Sequence, residues 1–164
     1  MPTRIPMPIP ETIRDLLGDL VGRTVGVAKV DTSTDVDEPG AYALADFVTD
    51  DDELAACVLA DLELTASLGA ALTMVPPGIV RESVASGSLE APTLLENFAE
   101  VVNVMARVFN SHDTPHVRWR AVHVMAEEQV PEETQALVDR PAARRDLKVD
   151  VEGYGTGRLV VVVL

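Results

Sequence analysis

Between residues 94 and 109 the apolar side chains Leu94, Phe98, Val101, Val102, Met105, Val108 and Phe109 recur at the i, i+3, i+4, i+7 spacing of a helix with one apolar side. In water such a helix persists only when that side is covered, so the rest of the chain must supply a surface for it. Wound at ~100° per residue, the same stretch gathers Glu96, Glu100, Asn103 and Arg107 within roughly 60° of arc on the opposite side. The spacing predicts a helix from Thr93, as its N-cap, to about Asn110. Glu96 then stands at the third helical position of a capping box.

The segments on either side tell what the covering surface is. Pro10 suits the first turn of a helix, Ile13, Leu16, Leu17, Leu20 and Val21 form its stripe, and Gly22 stops it. Thr24–Val30 alternates small residues with valine and reads as a strand; Asp31–Gly40 is an acidic loop. Ala41–Val48 and Leu54–Ala60 read as an antiparallel hairpin around Asp50-Asp51-Asp52. Leu62–Thr73 and Gly78–Ser86 are helical, separated by Pro76-Pro77. Val117–Met125 is a strand and Glu132–Asp139 a short helix between prolines. Asp146–Val151 and Arg158–Leu164 close the chain as a hairpin across Gly153–Gly157. Hairpins outnumber strand–helix–strand units, so the expected class is α+β, a largely antiparallel sheet with long helices on one face. Residues 1–9 read as a flexible Pro-rich leader, and 10–164 as a single domain.

Composition limits what such a domain can do. With 27 Asp and Glu against 13 Lys and Arg, the formal charge of −14 opposes binding to nucleic acid or to anionic membranes. No apolar run reaches the length that spans a bilayer, and the first ten residues lack a signal-peptide core, so a soluble cytoplasmic protein is expected. Cys57 is the single cysteine; it lies mid-strand among apolar residues and reads as an inert buried thiol.

Most candidate sites fail on spacing. His112, Asp113, His116 and His123 come nearest to a metal cluster, but Pro115 breaks the helix that His112 and His116 would need, and no HExxH glutamate follows. Asp31, Ser33, Asp35 and Asp37 alternate like the start of a calcium loop, yet Val36 stands where glycine is needed and Tyr42 where the bidentate glutamate belongs. Gly153–Gly157 lies between strands and has no helix N-terminus behind it to cradle phosphate. Ser67, Ser83 and Ser86 lack a nucleophile elbow. What remains is the row Glu96, Glu100, Asn103 and Arg107. A polar helix face is ordinarily just solvated. Asn103, however, is a poor helix former expected at the middle of the helix, away from any cap, which calls for a specific use of its carboxamide.

Glu100-Val101-Val102-Asn103 resembles the Glu-x-x-Asn signature of the CheC/CheX family of chemotaxis phosphatases, and the order of elements over residues 10–164 is similar to that family's. One copy of the motif resembles CheX, which works as a homodimer, more than CheC, which carries two. Glu96 stands where the family usually has Asp or Ser, Arg107 where it commonly has glycine, and Pro115 and Pro131 bracket the expected proline. The resemblance implies dephosphorylation of the aspartyl phosphate of a CheY-type response regulator. Asn103 would orient the attacking water, Glu100 would dock on the partner's active-site lysine, and Glu96 and Arg107 would lie at the partner-binding rim. It implies no cofactor of the chain's own, because the Mg²⁺ belongs to the partner. The alternatives are a non-catalytic adaptor for a signalling or flagellar-switch protein and a structural dimer with a merely solvated helix face.

Overall fold

The computed structural model describes residues 5–30, 40–111 and 113–164. The acidic loop and its calcium-like pattern, and His112, lie outside them. The elements run α1 (Pro10–Val21), β1 (Val25–Lys29), β2 (Ala43–Thr49), β3 (Leu54–Ala60), α2 (Leu62–Leu72), α3 (Pro77–Ser86), α4 (Pro92–Met105), a 3-10 turn (Ala106–Phe109), β4 (Val117–Val124), α5 (Glu132–Asp139), β5 (Ala143–Val151) and β6 (Gly155–Val163). The strands form one six-stranded sheet in the order β1-β5-β6-β3-β2-β4. Every pairing in it is antiparallel. The α+β class holds.

Side chains alternate across this sheet and divide its core in two. Ala43, Ala45, Phe47, Ala56, Val58, Leu147, Val149, Leu159 and Val161 face α1, α2 and α4. Leu44, Cys57, Leu59, Val160 and Val162 face the other way, against Leu137 of α5. β2 and β3 are therefore covered on both sides, which is why they read as unbroken apolar runs.

α2 lies against β6 because two glycines leave it room. A Cβ on Gly157 would stand 2.4 Å from Asp61 Oδ1 and 2.7 Å from the Leu64 nitrogen. Asp61 ties the two elements together: Oδ1 accepts from the Leu64 N–H, capping α2, and Oδ2 accepts from the Arg158 N–H, both at 2.9 Å. The expected turn Gly153–Gly157 thus shrinks to residues 152–154, and Gly155 and Gly157 belong to the strand. A glycine inside a strand marks close backbone approach as readily as a turn.

Within the described part of the expected leader, Ile5 is buried in the core, Met7 packs against it, and Arg145 Nη1 donates to the Pro8 carbonyl at 2.8 Å. The start of α4 also shifts. Pro92 takes the first helical position, where its fixed φ fits and its missing N–H costs nothing. Ala91 becomes the N-cap, without a side-chain bond, so Thr93 does not cap the helix and Glu96 closes no capping box.

Candidate functional site on the fourth helix

α4 buries Leu94, Phe98, Val101, Val102 and Met105 almost completely, as the helical stripe requires. Its outer side carries Glu96, Glu100, Asn103 and Arg107, all exposed. Among the described residues no hydrogen bond or ion pair engages these four side chains. Glu96 and Glu100, like charges one turn apart, cost the helix a few tenths of a kcal/mol. The α-helix ends at Met105, and the Ala106 N–H donates to the Asn103 and Val104 carbonyls as the chain tightens into the 3-10 turn. Asn103 consequently sits in the last helical turn, not mid-helix, and Arg107 lies on the 3-10 turn beyond it. The asparagine in the body of the helix is instead Asn97. Its Nδ2 donates to the Gly69 carbonyl and to Thr73 Oγ1, both at 2.8 Å, bridging α4 to the end of α2.

The crossing of these two helices is unusually close. A Cβ on Gly69 would lie 2.3 Å from the Leu94 carbonyl oxygen, so only glycine lets the backbones meet there. At its other end α4 is held through Asn110. Nδ2 donates to the Ala106 and Val117 carbonyls, and Oδ1 accepts from the Val117 N–H, tying the 3-10 turn to the start of β4. The row is thus an exposed ridge on a helix anchored at both ends.

Among the described residues, His116 and His123 do not come together, and no metal-binding group forms. His116 Nδ1 lies 2.9 Å from Asp50 Oδ1 at the β2–β3 turn, where Arg118 also pairs with Asp52, and Asp113 is exposed. His123 joins a different cluster, on the α5 side of the sheet. There Asp46 is wholly buried. Its Oδ2 accepts from Arg120 Nη2 at 2.7 Å and from Thr134 Oγ1 at 3.2 Å. Its Oδ1 accepts from Arg120 Nε and the Ala121 N–H, each at 3.2 Å. His123 stands between two carboxylates, Nε2 3.3 Å from Asp46 and Nδ1 2.5 Å from Glu128. Arg120 Nη1 reaches Glu133 at 2.9 Å.

Burial alone would push the Asp46 carboxyl up, but the hydrogen bonds and charge of Arg120, with His123, outweigh it and hold the group below its usual value. Cys57 faces Asp46 across the β2–β3 ladder. Burial, with the Asp46 charge, pushes its thiol up to about 12, so it is no nucleophile. The Asp46 oxygens are saturated with donors, and the cluster fastens α5 and the loop before it to the sheet. Sequence reading missed it. An aspartate in the apolar run of β2, with Arg120 and His123 in a later strand, was the available signal.

An antiparallel sheet with α1, α2 and α4 on one face and α5 on the other is an α+β fold similar to that of the FliM middle domain. The FliM middle domain from H. pylori superposes with a TM-score of 0.54 at 8% identity, over 94% of this chain and 84% of that one. In the FliM–SpeE complex from H. pylori the values are 0.59 and 6%, over 94% and 80%. The CheX–CheY–BeF3–Mg²⁺ complex from Borrelia burgdorferi aligns at 0.49 and 8%, over 93% of both chains. No protein-family profile and no curated protein matches the sequence.

Proposed function

We propose that the chain binds a phosphorylated receiver domain of the CheY type through α4 and hastens loss of its aspartyl phosphate. One observation carries the reading. Glu100 and Asn103, three residues apart on α4, are exposed and, among the described residues, without a hydrogen-bond partner, on a helix whose opposite face is buried. A ridge of this kind encloses no small molecule. It suits a macromolecular substrate that brings its own pocket, its own Mg²⁺ and the phosphoryl group. Asn103 Oδ1 accepts a hydrogen bond from a water and holds it in line with phosphorus. As the water's oxygen bonds to phosphorus, the bond to the partner's aspartyl oxygen breaks, leaving a free carboxylate, and inorganic phosphate departs with both of the water's hydrogens. Glu100, one turn away, pairs with a partner lysine and sets the docking register. Glu96 and Arg107 flank this pair at the rim, and a homodimer presents two such ridges.

The test is the lifetime of a CheY-type receiver phosphorylated from a small acyl phosphate. Asn103→Ala should remove the acceleration by about a hundredfold, the cost of losing an oriented reactant. Glu100→Ala should raise KM about tenfold. An Asn103→Ala rate equal to wild type overturns the catalytic role. A second reading, a non-catalytic adaptor, is favoured by the superposition on the FliM middle domain at a TM-score of 0.54. It requires capture of the receiver with no change in phosphate lifetime.

A further inference from the structure

We propose that Asn97 is the positioning residue of this site, setting the rotation of α4 about its axis and with it the aim of Glu100 and Asn103; the inference rests on the reading of that ridge. An asparagine mid-helix is unfavourable beside alanine, and a half-buried one needs partners for its amide. Both amide hydrogens of Asn97 have them at 2.8 Å. One partner is the carbonyl of Gly69, among the last four of α2, which a helix leaves without donors of its own. The other is Thr73 Oγ1, at the C-cap of the same helix. α4 thus supplies a capping donor to α2 from outside.

The Asn110 bonds hold the chain at the 3-10 turn beyond α4, and the remaining contacts of α4 itself are less directional. Leu94, Phe98, Val101, Val102 and Met105 bind through apolar burial, which is non-directional. The Gly69–Leu94 contact sets how close the helices lie at one point, about which α4 still turns. A doubly donating amide has one geometry. Asn97 also lies about 60° of arc from Glu100, one turn before it, so a slip at the clamp passes directly to the ridge. Orienting a water demands placement within about 0.5 Å and 10–20°, a precision reached when hydrogen bonds outside the site reinforce packing.

The experiment compares Asn97→Ala and Thr73→Val with wild type and Asn103→Ala on the phosphorylated receiver. Asn97→Ala should lower kcat at least tenfold and leave KM within about threefold; Thr73→Val, which removes one of the two bonds, should fall between. The same kcat for Asn97→Ala as for wild type, when Asn103→Ala has lost its rate, overturns the proposal while the site reading stands. Should Asn103→Ala match wild type, the site reading fails by itself, and the clamp is judged by spin labels at Glu82→Cys on α3 and Glu96→Cys on α4. Both positions are exposed, and Cys57 is buried beyond reach of the label. Asn97→Ala should shift or broaden the label distance; an unchanged distribution overturns the positioning role.

Discussion

Met74 is 78% exposed and holds a φ of 58°, a left-handed backbone that side chains with a Cβ resist. It follows the C-cap of α2, where the Met74 N–H bonds the Ala71 carbonyl and the Val75 N–H bonds the Ala70 carbonyl. That pair of bonds is the helix ending in which glycine is ordinary. Met74→Gly should therefore stabilise the fold by roughly 0.5–1 kcal/mol, about 1–4 °C in Tm by calorimetry, even after glycine's greater entropy in the unfolded chain. At this scale the sequence was readable where one helix settles the matter. The stripe opposite Glu100 and Asn103 required both to be exposed, and they are. It was opaque where the answer lies across space. Nothing near Asn97 in the chain shows that its amide belongs to Gly69 and Thr73, and nothing near Asp46 shows Arg120.

Between elements, the decisive residues are those with no side chain. Gly69→Ala places a carbon on the Leu94 carbonyl and must push α4 away from α2. It should cost about 1–3 kcal/mol, the usual penalty of overpacking, seen as a lower urea midpoint with an unchanged slope. Gly157→Ala should cost a similar amount by driving α2 off β6. The helices and the β2–β3 hairpin were legible because their signals are local: stripes, prolines at first turns, an acidic turn. The pairing of β1 with β5 was not, since Val25 meets Val151 only after nearly the whole chain has been laid down. The start of β6 was also misread, because glycines that admit a packed helix look in sequence like glycines that make a turn.

Across the whole molecule, acid should act through Asp46. Its native pKa lies below the usual 3.8, so its ionised form is favoured by folding. That stabilisation is fully present above pH 3.8 and is lost as the pH falls through the lowered native value. Chemical denaturation from pH 7 to pH 2 should show wild-type stability dropping most below pH 4, and Asp46→Asn, less stable at neutrality, dropping less. Protonation of other carboxylates relieves the repulsion of a −14 chain over the same range, so the difference between the two proteins, not either curve alone, isolates Asp46.

The strand order also bears on how the molecule is made. β6 comes last in the chain yet lies inside the sheet, between β5 and β3, and among the described residues β5 is the sole neighbour of β1. As the polypeptide leaves the ribosome, β2 and β3 can zip together early. β1 then waits without a partner, and β3 with one open edge, until residues 143–163 have been synthesised. Assembly therefore waits on residues 143–163 and proceeds at the pace of closures that span most of the domain. Until then an apolar strand edge stays open to chaperones and to neighbouring chains.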